Sequence, residues 1–245
     1  MTCTVLSNQM ILMGGYDLTG HMNSVAIEYG SEMKEATVFR QSTRSQIGGL
    51  FTTQLQAGGF YDAVPQDAPV FSAIGTEVPI TVGAGLTPGD VAYFFSASAG
   101  EYQQGESVGE INKWTLGAGA GDNTTLVRGV VEHNALDTAA TSALIASIGR
   151  QLGAVGGAET LYVCLHVTES NGSGDQTFDI DVESDDNSGF TTPLTQGSFN
   201  QFTTSVGSQI LEIAGPILDD YFRLSFTIAG SGSPSFKFNV SMGIK

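Results

Sequence analysis

A two-residue rhythm runs through this chain and restricts its fold more than any single motif does. In the run NSVAIEYG, Val25, Ile27 and Tyr29 fall on one side and Ser24, Ala26 and Glu28 on the other, the alternation of a strand with one apolar and one mixed face. The run LFTTQLQAGGF repeats it, with Phe51, Thr53, Leu55 and Ala57 opposite Thr52, Gln54, Gln56 and Gly58. Between such runs lie Ser, Thr, Asn, Asp and many of the 32 glycines, the residues that turns between strands require. Met10–Met13, Asn23–Glu28, Ala36–Phe39, Phe51–Phe60, Glu77–Val82, Val91–Ala99, Glu110–Leu116 and Thr125–Glu132 are candidate strands, a number that suits a sandwich or barrel. The opening of this series reads as a hairpin: NSVAIEYG, a tight acidic turn, then EATVF.

One short helix is expected at DAPVFSAIG, with Asp67 as N-cap, Pro69 in the first turn and Gly75 just past the end. Beyond the glycine-rich LGAGAGDNTTL, strands recur as ETLYVCLHVTE, DQTFDIDVES, SQILEIAG, DYFRLSFTIAG and PSFKFNVSMGI. DTAATSALIASIG fits either a helical stripe or an edge strand and is read as extended. The expectation is an all-β protein: a β-sandwich or barrel with one flanking helix over 1–123, then a second β-sandwich, jelly-roll or Ig-like, over 124–245, with the boundary near Asn123.

Composition removes several functions. With 41% hydrophobic and 14% charged residues among 245, the chain can bury one large core or two modest ones. Its formal net charge of −16 leaves no cluster of cations with which to displace counterions from nucleic acid. Cys3 and Cys164 are the only cysteines and build no disulfide framework. No export signal is recognisable, and no run approaches the roughly 20 apolar residues of a membrane span, so a soluble protein is expected.

Motifs with chemistry are few, and each has a plainer reading. GESVG matches the hydrolase nucleophile pattern with Ser107, but that elbow needs a helix after it, and EINKWTLGAGAG reads as strand and turn. Cys164 and His166 share a strand face and would supply two zinc ligands, yet no second pair follows at useful spacing. Asp179, Asp181 and Glu183, running into Asp185, Asp186 and Asn187, offer calcium-type oxygens without the EF-hand order; a solvated strand entering a turn explains them too. GAGAG and GAVGG lack the strand-loop-helix setting of a phosphate loop. The residues therefore point to a structural or binding protein without cofactor, and not to an enzyme.

The stretch YDLTGHMNSVAIEYGSEMKEATVFRQSTRSQIGGLFTTQLQAGGFYD resembles the N-terminal segment of the tail-tube proteins of long-tailed, non-contractile phages. The matching positions are Asp17, Leu18, Thr19, Gly20, Asn23 and Val25, then Thr37 and Phe39, then Gly49, Leu50, Leu55, Gly59, Phe60 and Asp62. The short helix and GDVAYFFSASAGEYQQGESVGEI are also similar to that family, so the resemblance covers about 10–132. The later part, including VESDDNSGF and GPILDDYFRLSFTI, resembles the β-sandwich that accompanies such segments in some phage structural proteins. Where the family tends to read T-x-F-G-D, this chain reads TVFRQS, a departure that places Arg40 in the loop.

The resemblance implies a tail-tube-type sandwich whose copies close rings of six through sheet edges. The rings stack into a hollow tube that passes DNA without binding it specifically. It implies assembly in the host cytoplasm, a place in the virion tail, and partners that are other copies and other tail proteins, with no membrane. The polar loop between Phe39 and Leu50 would be the arm reaching the adjacent ring, Arg40 and Arg44 meeting a neighbour's acidic surface. Glu28 and Glu32 would be among the carboxylates facing the lumen. Three copies, each with two tube-like halves, would be an alternative ring. Rival readings are a capsid decoration protein, a distal tail component, and a carbohydrate-binding module, the last weakened by a single tryptophan, Trp114.

Overall fold

The computed structural model describes residues 9–40, 42–63, 67–121, 125–138 and 145–245. Its strands are β1 (Met10–Met13), β2 (Tyr16–Asp17), β3 (Met22–Glu35), β4 (Gln46–Phe60), β5 (Glu77–Gly83), β6 (Val91–Gln104), β7 (Lys113–Ala120), β8 (Val127–Thr138), β9 (Ile145–Ala146), β10 (Arg150–Gln151), β11 (Thr160–Asn171), β12 (Thr177–Asp185), β13 (Leu194–Ser198), β14 (Gly207–Ala214), β15 (Tyr221–Ala229) and β16 (Ser235–Ile244). The helix α1 (Ala68–Ser72) lies between β4 and β5. The protein is all-β, as its alternation required. No helix among the described residues is long and apolar enough to cross a membrane.

Contacts gather the chain into two compact units that interleave along the sequence. Met1–Gly20, Pro79–Phe95 and Val127–Lys245 form one; His21–Val78 and Ser96–Leu126 form the other. The expected boundary at Asn123 falls in 122–124, outside the described residues, as do 139–144 of the ambiguous segment.

The larger unit contains a two-sheet sandwich. One sheet runs β14-β11-β16-β8 and the other β10-β15-β12-β13, with β9 also on β15. Counting from β8, and taking β9 and β10 as one interrupted strand, the orders are 6-3-8-1 and 2-7-4-5, the eight-strand double Greek key of a jelly roll rather than the Ig-like alternative. Phenylalanines fill its centre. Phe178 of β12 lies 4.9 Å from Phe236 and 4.7 Å from Phe238 of β16, and Phe226 of β15 meets Phe238 edge-on at 5.1 Å. All four are essentially buried. Aromatic pairs at such spacings add to the area term, which already makes each a major contributor.

A second, polar pin fixes β11 within this unit. The His166 ring places Nδ1 2.7 Å from the Gly14 carbonyl oxygen and Nε2 2.8 Å from the Thr81 hydroxyl. A carbonyl only accepts, so Nδ1 carries the hydrogen and Nε2 accepts. Cys164 Sγ lies 3.2 Å from the same Nε2. Burial pushes the His166 pKa down to about 4 and the Cys164 thiol up to about 12, so both stay neutral.

The smaller unit is a four-stranded antiparallel sheet in the order β3-β4-β7-β6, using the 96–104 part of β6. Its hairpin is longer than the sequence indicated. β3 continues through the expected acidic turn to Glu35, β4 begins at Gln46, and Ala36–Phe39 lies in the connection between them rather than in a strand. A register shift between Ser31 and Met33 explains the misreading, since a bulge breaks the period of two that marks a strand. The hairpin is closed by Ala36 N–H to Ser45 O at 2.8 Å and by Ser45 N–H to the Thr37 hydroxyl at 3.0 Å. Helix α1 forms as expected; Asp67 is at the N-cap position, but its side chain accepts from the Tyr102 hydroxyl instead of capping.

Arg40 has φ +76°, a left-handed conformation that suits glycine and costs an L-residue roughly 1–2 kcal/mol. The backbone thus keeps the conformation a glycine would favour. Replacing Arg40→Gly is expected to slow amide exchange at Ala36 and Ser45, stabilising the loop by up to about 1 kcal/mol; faster exchange would contradict this.

His166 sets a second expectation. Its folded pKa lies below the ordinary ~6.5, so the unfolded chain binds the proton more tightly and stability is lost as pH falls from about 6.5 towards 4. The loss attributable to this group is about 3 kcal/mol. Urea midpoints at pH 7 and pH 4.5 for the wild type and His166→Gln should show a smaller acid loss in the variant.

Candidate assembly surface

The register of the smaller unit sorts its residues cleanly by face, because directly paired residues share a side. Glu28 pairs Gln54 and Ala26 pairs Gln56; Gln54 and Gln56 in turn pair Gly119 and Gly117 of β7. Gly119 and Gly117 pair Ser98 and Glu101 of β6, and Thr115 joins Gly58 to Gln103. One face therefore presents Ser24, Ala26, Glu28, Thr52, Gln54, Gln56, Thr115, Ser98, Glu101 and Gln103, all exposed. Its charges are carboxylates except at one margin, where Lys113 is paired with Glu106 at 2.9 Å. That lysine holds the Glu106 carboxyl below its usual range.

The opposite face is apolar. Leu55, Ala57, Trp114, Leu116 and Ala118 are buried there, with Tyr102 stacked on Trp114 and Phe71 of α1 edge-on to Tyr102. The Trp114 indole N–H donates to the Phe60 carbonyl at 3.2 Å, so the ring that a sugar platform would need lies inside the unit.

Towards the hairpin tip that apolar covering stops while the apolar residues continue. Leu50 is 81% exposed, Phe51 and Ile47 61%, Met33 56%, and Phe39 is fully exposed. Tyr29 stacks on Phe51 at 5.5 Å and an interplanar angle of 9°. Both strands have exposed residues on both sides here. Patches of this kind on soluble proteins mark interaction sites. The arm is thus shorter as a loop and more apolar than the expected polar loop from Phe39 to Leu50. Arg40 and Arg44 are exposed in the connection at its end. Glu28 lies on the polar face, whereas Glu32 sits at the bulge, its carboxylate paired with Lys34.

The other candidates disperse. Ser107 lies in the loop between β6 and β7, a strand-loop-strand setting without the helix that an elbow needs. Cys164 and His166 spend their polar atoms on the buried network, and no three His, Cys, Asp or Glu side chains gather to hold a metal among the described residues. Asp185 accepts from the backbone N–H groups of Asn187 and Thr192 at 3.1 and 2.8 Å. Asp179 pairs with Gln201, and Glu183 with Arg223 at 2.7 Å. The acidic run is therefore divided among separate structural bonds. Sequence reasoning missed the exposed apolar tip; the signal is present in Ile47, Leu50 and Phe51, but the first two fall in the expected polar loop and the third on the face expected to be buried.

No protein-family model matches this chain, and no curated protein does. Among solved structures, a chain of the native gene transfer agent virion is 12% identical, with a TM-score of 0.38 over 47% of this chain and 94% of its own. A chain in the tail of an empty particle of that agent is 14% identical, with TM-score 0.37 over 47% and 93%. The Dit protein of phage SPP1, described as a hub of the adsorption apparatus, is 16% identical, with TM-score 0.37 over 98% and 100%. Scores below 0.5 assign no family, and the architecture described here rests on the strand pairing itself.

Proposed function

We propose that this protein is a structural subunit of a phage tail, which closes into rings of six through its smaller unit and stacks those rings into a DNA-conducting tube. The observation that carries the reading is the hairpin of β3 and β4, which exposes Met33, Ile47, Leu50 and Phe51 beyond the part of the sheet that is covered. An edge strand with exposed apolar side chains invites pairing with another chain, and a closed ring of identical copies satisfies it without leaving a free edge. β3 has β4 as its one strand partner among the described residues, so its outer edge is the surface for a neighbouring copy.

Barrel geometry favours six copies over three. Six four-stranded sheets give 24 strands, and at about 4.8 Å per strand and a tilt near 40° the barrel is about 48 Å across between backbones. Side chains leave roughly 40 Å, ample for a duplex about 20 Å wide; twelve strands from three copies would give about 24 Å before side chains and exclude it. The face carrying Glu28 and Glu101 suits the lumen, because carboxylates and small polar groups repel phosphates over a Debye length of about 8 Å. Arg40 and Arg44 are then the cations that meet the acidic surface of the next ring. In this reading the partners are other copies and other tail proteins, the DNA passes unbound, assembly occurs in the host cytoplasm, and no catalysis is required.

Sedimentation velocity tests the hairpin. Wild-type protein should form a species near six subunits at rising concentration, whereas Leu50→Ser with Phe51→Ser should remain monomeric and folded. A double variant that assembles like the wild type would remove the hairpin from the interface. Arg40→Glu with Arg44→Glu should leave rings intact and prevent their stacking.

A further inference from the structure

The jelly roll holds an open cavity of about 250 Å³ that the assembly reading does not use. Its wall includes Glu132, His133 and Asp137 of β8, Ser147 and Arg150 around β9 and β10, and Phe226 of β15. Ile148, 85% exposed, stands at the same wall.

The polar groups in this wall are joined in pairs. His133 Nε2 lies 2.7 Å from Asp137 Oδ2, and Arg150 Nε lies 3.4 Å from Glu132 Oε2. Glu132 is buried, and its Oε1 accepts from the Ser147 hydroxyl and from Gly149 N–H. Burial raises its pKa above the usual carboxylate range, with the Ser147 bond and the Arg150 charge acting against the rise. The second oxygen and Arg150 Nε make no hydrogen bond despite their closeness, so the guanidinium is held by charge alone. Among the described residues its outer N–H groups have no acceptor and Asp137 Oδ1 has no donor. His133 stacks on Phe238 at 4.2 Å and meets Phe226 edge-on, which fixes the imidazole and with it Asp137.

A ligand that broke either pair would leave a group of this wall without its partner, so one that uses only the remaining atoms is favoured. What remains unused is a donor fork on one side, an acceptor oxygen on the other, and apolar surface from Ile148, with the buried ring of Phe226 behind the wall. A hydroxyl group both donates and accepts, so neighbouring hydroxyls meet both needs without net charge. Ligand pockets combine an apolar wall with a few convergent polar groups in this way, and the volume, just below the usual range that starts near 300 Å³, fits one ring and not a chain of them. We propose that this cavity binds a small neutral polyhydroxylated ligand, a single pyranose unit, with Arg150 and Asp137 contacting its hydroxyls and Ile148 its C–H face. The proposal does not depend on ring assembly.

The test is a titration of the full chain, followed by ¹H–¹⁵N NMR, with glucose, galactose, mannose, N-acetylglucosamine, glycine and sodium acetate. Saturable shifts around His133, Ser147 and Phe226 are expected with at least one sugar, at the millimolar affinity of a few hydrogen bonds. Asp137→Asn should weaken binding about tenfold, the effect of one lost hydrogen bond. Ile148→Arg, which obstructs the mouth from an exposed position, should abolish binding without unfolding the protein. The proposal is overturned if no sugar gives saturable shifts up to about 100 mM, if glycine or acetate binds in preference, or if Ile148→Arg binds as the wild type does. Because the readout is local, failure here leaves the sedimentation result untouched, and loss of assembly leaves this one untouched.

Discussion

The pairing of β3 with β4 is the contact on which the account depends. The two strands, 14 and 15 residues long, exceed the mode of about 5–6 for globular proteins. A two-stranded ribbon has little stability of its own in water; near its base this one is held by β7 and by the buried Leu55, Ala57, Trp114 and Leu116. Its outer half has no such covering among the described residues, and in the proposed assembly a partner supplies it. A second copy of the same chain is the economical source, because one interface repeated by rotation serves every subunit.

The jelly roll follows a different logic. Its stability comes from within, from the phenylalanine cluster, and it encloses two buried polar devices, the His166 network and the Glu132 site. Such groups tolerate burial only with partners. His166 meets this fully, with an acceptor at one nitrogen and a donor at the other. Glu132 meets it at one oxygen only, and that difference is why the first reads as a structural pin and the second as part of a site.

Much of the architecture was legible in the sequence. The faces of Asn23–Tyr29 and of Thr52–Gly58 follow from the period of two, and the bounds of β1 and α1 are close to those expected. The hairpin length was hidden by the bulge between Ser31 and Met33, and the exposed tip because Phe51 looks like a core residue until its surroundings are known, while Leu50 falls at the end of the expected polar loop. Which strands share a unit was hidden as well: pairing of β16 with β8, or of β5 with β1, joins segments far apart in sequence, and no local pattern encodes it. The cavity was invisible for the same reason, since Glu132, Arg150 and Phe226 converge only through that pairing.

Negative-stain electron microscopy of the purified protein, over a range of concentration and salt, addresses the central claim most directly. Rings with six-fold symmetry and a central channel wider than a duplex, about 20 Å, stacking into tubes, are the expected result. Dispersed monomers under every condition, or rings whose channel is too narrow for a duplex, would contradict it.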